Sequence, residues 1–186
     1  MLDSFIPPHG GYKNLLTYRK SQIIYDATVY FTRRFFRKGD RTVDQMVQAA
    51  RSGKQNIIEG SMASGTSKET EVKLTNVARA SLEELPEDYC DFLRVNSFTE
   101  WSPEHPCTKR LRQINRATDA DYEAFRKGIE HENPEICANV IFGLIKVCNY
   151  LLERQLHHLE KEFIQQGGLR ERMTQARLHH RGKGKK

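Results

Sequence analysis

The stretch EGSMASGTSKE, from Glu59 to Glu69, nearly matches the glycine-rich loop that binds nucleotide phosphates. The pattern G-x-x-x-x-G-K-[ST] is met at Gly60, Gly65 and Ser67, but Thr66 occupies the position of the phosphate-binding lysine. Such a loop joins a strand to a helix, so that backbone N–H groups and the helix N-terminus converge on the phosphates. The preceding residues, MVQAARSGKQNII, instead repeat with a helical period. We therefore interpret the stretch as a turn between two helices and predict no nucleotide site.

A metal centre and a catalytic site are also not predicted. A di-metal centre in a helical bundle needs Glu-x-x-His motifs on two helices, and the chain contains no such motif. His157 and His158 are adjacent, so on a helix they point about 100° apart and cannot chelate one ion together. No nucleophile is spaced with a base and an orienting group. The sequence thus predicts no catalytic residue, no metal and no cofactor, and favours a protein that is not an enzyme.

A group of polar residues precedes the turn. The helical period places Asn56 and Glu59 at the border of an apolar face, just before Gly60. A buried carboxylate must be paired or hydrogen-bonded, so Glu59 is predicted to have an amide, hydroxyl or arginine partner. Two interpretations stay open, a structural polar network and a functional site.

Two groups of cations could bind a polyanion. The first surrounds Phe35 and Phe36 and consists of Arg33, Arg34, Arg37, Lys38 and Arg41. The second begins after Gly168, where Glu171 is the only acid among Arg170, Arg172, Arg177, Arg181, Lys183, Lys185 and Lys186. This tail accounts for the whole net charge of +6, so the preceding chain is formally neutral. Contact with the RNA or DNA backbone is one interpretation, and solvated charge that complements a helix end is the other.

Apolar periodicity predicts four long helices to position these residues. They span about residues 12–38, 42–59, 67–94 and 134–166, with capping boxes at Thr42 and Thr66 and a start at Asn133 and Pro134. Pro86 is expected to kink or open the third helix. Gly167 and Gly168 are expected to end the fourth helix.

The remaining segments are predicted to be less regular. Residues 95–131 form an insertion, a loop with at most one short turn up to residue 120 and then a short helix near 119–128. Residues 169–186 form a short helix and a disordered basic tail. The predicted fold is all-α, an up-and-down antiparallel four-helix bundle over residues 1–168 with this basic C-terminal extension.

The two most apolar helices carry more apolar surface than the core of one bundle can bury. NVIFGLIKVCNYLL in the fourth helix is apolar around most of its circumference, and the first helix carries tyrosines off its main stripe. Either the 95–131 insertion covers these surfaces or the protein self-associates.

Cysteine usage and hydropathy predict the compartment. Cys90, Cys107, Cys137 and Cys148 show no metal-like spacing and are interpreted as reduced thiols of a cytoplasmic protein. The N-terminal MLDSFIPPHGG lacks the apolar run of a secretory signal, and no apolar run approaches the roughly 20 residues of a membrane span. No membrane association is predicted.

Two segments together resemble a known family. DRTVDQMVQAARSGKQNIIEG followed by SKETEVKLTNVARASLEEL is similar to the bacterial four-helix-bundle proteins first noted in intervening sequences of large-subunit ribosomal RNA genes. The shared features are N-I-x-E-G, here Asn56 to Gly60, and S-L-x-E-L, here Ser81 to Leu85. The segment GGLRERM at 167–173 resembles the C-terminal extension of the family's suffix-domain branch.

The resemblance implies a protomer that assembles into a ring, typically a pentamer. A related branch contains basic accessory proteins of diversity-generating retroelements, which bind a reverse transcriptase and nucleic acid. We therefore expect a homo-oligomeric binding module for RNA or DNA that assists a reverse transcriptase. A protein scaffold without a nucleic-acid role is the alternative.

Overall fold

The computed structural model describes residues 9–183. These described residues are 80% helical and contain no strand, which confirms the all-α prediction. Within residues 9–183, a short 3-10 turn at Tyr12–Asn14 precedes seven α-helices, which are α1 (Leu16–Phe35), α2 (Arg41–Ala63), α3 (Lys68–Val95), α4 (Pro106–Arg116), α5 (Tyr122–Ile129), α6 (Pro134–Gln166) and α7 (Leu169–Lys183).

The four long helices α1, α2, α3 and α6 enclose the core. Both α2 and α6 pack against α1 and against α3. Short connections join α1 to α2 and α2 to α3, so each of these pairs runs antiparallel. The largest side chains buried between them include Ile24, Phe31, Met46, Leu82, Tyr89 and Leu144. The hydroxyl of Tyr89 donates to Thr28 Oγ1 at 3.1 Å, which satisfies a polar group inside this core.

The helix ends agree with the prediction only in part. α6 begins behind Asn133, whose side chain accepts from the Glu135 N–H at 2.8 Å, and ends at Gly167 with φ 66°. These two boundaries are as predicted. α2 continues to Ala63, beyond the predicted end at residue 59. The glycine-rich stretch is nevertheless a turn between two helices, because only residues 64–67 lie outside α2 and α3.

Both predicted capping boxes are wrong by one or two residues. Asp40 caps α2 by accepting from the Thr42 N–H at 2.9 Å. Ser67 caps α3 by accepting from the Thr70 N–H at 3.1 Å, and Thr66 belongs to the turn. Aspartate and serine are as good N-cap residues as threonine, so the extended backbone at the cap decides between neighbours.

The 95–131 insertion contains a helix that the sequence analysis missed. Pro106 lies in the segment that was expected to be a loop, but it occupies the first turn of α4, where proline needs no backbone donor. The side chain of His105 completes this start by accepting from the Cys107 N–H at 3.3 Å. The predicted short helix exists as α5, which begins with Asp121 as its N-cap.

The insertion covers the outer face of α6. Leu111 of α4 lies against α6 where Gly143 leaves room, since a Cβ on Gly143 would be 3.4 Å from Leu111 Cδ1. α5 packs against α6 and α1 through Phe125 and Ile129, which are both buried. Asn139 fixes the preceding loop, because its side chain donates to Thr99 O and accepts from the Trp101 N–H.

α3 remains helical through Pro86, and a side chain from α6 compensates for the lost backbone bond. Proline cannot donate to the carbonyl four residues earlier, which here is Leu82 O. Asn149 Nδ2 donates to that oxygen at 3.3 Å and to Glu83 Oε2 at 3.1 Å. The third helix is therefore not opened at Pro86, because Asn149 of α6 supplies the hydrogen-bond donor that proline lacks.

The C-terminal region is helical over a longer range than predicted. α7 extends to Lys183, whereas the sequence predicted a short helix and disorder from about residue 179.

The segment Pro134–Arg181 contains a stretch that is long and apolar enough to cross a membrane, judged by length and composition alone. In the structure, 56% of that stretch is buried inside the protein, and the core helix of a globular protein meets the same criteria of length and composition.

Candidate nucleic-acid interface

The cation cluster at the end of α1 consists of exposed, unpaired side chains. Arg33 and Arg34 occupy the last turn of α1, where positive charge is favourable beside the terminal carbonyls, and Arg37, Lys38 and Arg41 follow in the turn and at the start of α2. All five are exposed, and none forms an ion pair with a residue in the described range 9–183. Their charge is therefore available to a ligand.

The two phenylalanines within this cluster are anchors. The ring of Phe35 lies 5.3 Å from that of Phe31, and Phe36 lies 5.4 Å from Phe92 of α3. Both are partly buried against the core. Phe36 holds the turn onto α3, and Phe35 packs on Phe31 of its own helix, so the cations are the more accessible side chains of the cluster.

An acidic surface borders the same cluster. Arg37 and Asp40 line a surface cleft together with Asp88 and Asp91 of α3. Burial raises the pKa of Asp88, and repulsion from Asp91 and Glu84 acts in the same direction. The α1 side of this turn is therefore cationic, and its α3 side is acidic.

The C-terminal cations lie at the other end of the molecule. Tyr30 Oη, near the end of α1, is 3.5 Å from Glu130 O, just before α6 begins, whereas α7 follows the end of α6. An α-helix rises about 1.5 Å per residue, so α6, with its 33 residues, is roughly 50 Å long and places the start of α7 at the end opposite Tyr30. They form two separate surfaces.

Within the tail, the described cations differ in environment. Arg170, Arg177 and Arg181 are exposed on α7, but Arg172 is partly buried and its Nε makes no hydrogen bond with a described residue. The backbone of Lys183 ends α7. Lys185 and Lys186 lie outside the described residues.

α4 carries a third group of cations that sequence reasoning missed. Lys109, Arg110, Arg112 and Arg116 are exposed on this short helix, which contains no acidic residue. Of the four, Lys109 has an ion-pair partner, Glu104, at 3.3 Å. Their helical arrangement was not recognised because residues 95–120 were interpreted as a loop.

Asn56, Glu59 and Gly60, the polar residues and the glycine of the N-I-x-E-G motif, have separate roles. Asn56 Nδ2 donates to Ser52 O at 2.9 Å, and Ser52 Oγ lies 2.9 Å from Ser81 Oγ of α3, so this part is a structural network. Gly60 is buried where α2 meets α3, and a Cβ there would lie 3.4 Å from Glu71 O. The prediction for Glu59 is wrong, because its side chain is exposed and has no partner among the described residues.

The buried carboxylate of this region belongs to α3. Glu71 is 9% exposed and its Oε2 lies 2.9 Å from Lys68 Nζ, which also contacts Glu162 Oε2 of α6 at 2.8 Å. Burial lowers the pKa of Lys68, but hydrogen bonds to Glu162 and Glu71 outweigh it and raise the pKa overall. Lys68, which lies within the stretch from Glu59 to Glu69, therefore joins α3 to α6.

Lys20 is a second buried charge that the sequence analysis overlooked. It is 3% exposed, and its Nζ makes no hydrogen bond with any described residue. The ammonium lies 4.8 Å from the centroid of the Phe125 ring. Burial lowers the pKa of Lys20, and nearby Cys148, whose own pKa burial raises to about 12, acts in the opposite direction. The helical spacing to Ile24 could have revealed this position on the core face.

Residues 9–183 contain no group of three or more His, Cys, Asp or Glu side chains arranged to hold a metal ion.

Comparison of the chain with protein-family models, with curated proteins and with solved structures found no match. The functional assignment therefore depends on the surfaces described above.

Proposed function

We propose that this protein is a non-enzymatic helical module that binds the phosphate backbone of RNA or DNA. The observation that carries the proposal is the exposed, unpaired cation cluster Arg33, Arg34, Arg37, Lys38 and Arg41. Lysine and arginine side chains of this kind release counterions from nucleic acid when they contact phosphates. The second cationic surface on α7 extends the same attraction to the other end of the molecule.

We further infer an up-and-down four-helix bundle that assembles into a homo-oligomer in the cytoplasm. The packing of α2 and α6 against both α1 and α3 supports the bundle. Large apolar side chains on the last helices, Tyr150, Ile164 and Leu178, are 59%, 81% and 62% exposed and offer a surface for a second copy. The family resemblance favours a pentamer and a reverse transcriptase as a protein partner.

Neutralising the cation cluster tests the proposed function. The variant R33Q/R34Q/R37Q is compared with K73Q/R94Q/R126Q, which loses the same charge at exposed cations held by ion pairs. Binding to a fluorescein-labelled single-stranded RNA is measured by anisotropy, with a duplex DNA in parallel. We expect at least about tenfold weaker binding for the first variant and less than about threefold for the control.

The second candidate function is a protein scaffold, which the exposed apolar side chains of α6 and α7 favour. Equal RNA binding by the two charge variants would argue against the nucleic-acid proposal. The scaffold would then be tested with I164K, which should abolish self-association or partner capture without changing the core.

A further inference from the structure

α4 and α5 leave an apolar cleft between them. Both helices pack against α6, but they make at most marginal contact with each other. The cleft has a volume of about 420 Å³, which lies within the range of small-molecule sites. Its walls are formed largely by apolar side chains, namely Trp101, Leu111, Ile114, Phe125, Ile136 and Val140.

The floor of the cleft is closed by a tight approach of α5 to α6. A Cβ on Gly128 would lie 2.8 Å from Val140 Cγ2, so the α5 backbone rests directly on this valine. Phe125 and Leu111 are buried and fix the two walls. The cleft is therefore part of the packed structure and opens to solvent between the exposed faces of α4 and α5.

The rim of the cleft carries surplus positive charge. Arg110 of α4 and Lys127 of α5 line it, and neither forms an ion pair or hydrogen bond within the described part of the chain. Glu123 also lines the cleft, but its carboxylate is held by Arg126 at 3.1 Å. An anion at the rim would meet two unpaired cations and one carboxylate, that of Glu123, which shares Arg126 with Glu130.

We propose that this cleft binds an amphipathic carboxylate, a fatty acid of medium chain length. The acyl chain lies against the apolar walls, where its burial removes hydrocarbon from water. The carboxylate lies at the rim and accepts hydrogen bonds from Arg110 and Lys127. This site is independent of the cation cluster at the end of α1, so its occupancy does not depend on the proposed nucleic-acid function.

The chain contains two reporters at the cleft. Trp101 is the only tryptophan in the sequence, so intrinsic fluorescence at its emission maximum follows this site. Cys107 also lines the cleft and is an exposed thiol, whereas Cys137 and Cys148 are buried. Its alkylation, followed by peptide mapping, provides a second and chemically unrelated readout.

The experiment titrates the full chain with decanoate below its micellar concentration, and with 1-decanol as the uncharged counterpart. Decanoate should change Trp101 emission saturably and slow the alkylation of Cys107. R110Q/K127Q should weaken decanoate binding about tenfold and leave 1-decanol binding within about twofold. K109Q/R116Q, which removes two α4 cations outside the cleft, should bind decanoate as the parent does.

A second variant fills the cleft. Ala124 is exposed on α5 and lines the cleft, so A124F should block both decanoate and 1-decanol while the core of the protein stays unchanged. The proposal is overturned if decanoate gives no saturable signal with the parent protein. Unchanged decanoate affinity in R110Q/K127Q, or in A124F, would overturn it equally.

Discussion

At the scale of single residues, Lys20 is the least favourable charge in the described core. Replacing it with methionine keeps the hydrophobic stem and removes an ammonium that has no hydrogen bond. We expect K20M to be more stable by about 1–3 kcal/mol in urea denaturation at pH 7. K54M is the control, because Lys54 donates to Gln22 Oε1 at 3.4 Å and is only partly buried. A less stable K20M would show that the ammonium has a favourable partner.

The same substitution should change the pH dependence of stability. Since burial lowers the pKa of Lys20 in the folded protein, the unfolded chain binds the proton more tightly. The cost of Lys20 is therefore complete below its folded pKa and shrinks as pH rises towards the ordinary lysine value of about 10.4. The advantage of K20M over the parent should decrease with rising pH. Cys148, which faces Lys20 and has a raised pKa, is replaced by alanine in both proteins to isolate this effect.

Individual side chains were the hardest feature to predict from the sequence. The exposure of the five cations near α1 could be predicted, because charged side chains beside a helix end remain solvated. The environment of Glu59 could not, since one residue along a helix turns the side chain by about 100° and moves it off the core face. Glu162, which pairs with Lys68, and the Phe125 ring beside Lys20 come from α6 and α5, which no local pattern connects to these lysines.

At the scale of helices, Gly53 sets the distance between α2 and α3. A Cβ at Gly53 would clash with Leu82 Cγ, a branched carbon that cannot move away without disturbing the core. We expect G53A to lose about 1–3 kcal/mol of stability through overpacking, despite the better helix propensity of alanine. G143A is the matched control, since its Cβ would meet only Leu111 Cδ1 at 3.4 Å. Thermal or urea denaturation should show G143A unchanged or stabilised, and a stabilised G53A would contradict the close approach.

The bond between Asn149 and α3 predicts a dependence on Pro86. N149A leaves Leu82 O without its donor and should destabilise the protein by about 1–2 kcal/mol. In P86A the backbone N–H of residue 86 can bond Leu82 O, so the same substitution should cost less. Urea denaturation of the four proteins in a double-mutant cycle measures this coupling. Equal costs in both backgrounds would show that Asn149 does not replace the missing backbone donor.

Helix boundaries could be predicted where residues at the boundary itself mark the start or the end of a helix. α6 was predicted to the residue because Asn133, Pro134 and Gly167 mark its ends unambiguously. α4 was missed because its start depends on a proline in a position that looks like a breaker, and because only Leu111 of this helix is buried. A helix with so little apolar surface is stabilised by its contact with α6, which a local pattern does not contain.

For the whole molecule, the exposed apolar side chains of α6 and α7 predict self-association. Native mass spectrometry should detect an oligomer for the parent protein and a monomer for I164K, because the side chain of Ile164 is 81% exposed. Nuclease treatment before the measurement separates assembly by the protein itself from assembly on bound nucleic acid. A monomeric parent after nuclease treatment would contradict the proposed ring.

The salt dependence of RNA binding tests the central claim most directly. Affinity of the parent and of R33Q/R34Q/R37Q for the same single-stranded RNA is measured by anisotropy between low and physiological salt. The slope of log affinity against log salt is negative, and each lost phosphate contact makes it shallower by roughly 0.7. We predict a steep parent slope that becomes shallower by about 2 in R33Q/R34Q/R37Q, whereas K73Q/R94Q/R126Q keeps the parent slope. A parent affinity that is independent of salt, or identical slopes in the three proteins, would contradict phosphate binding by this cluster.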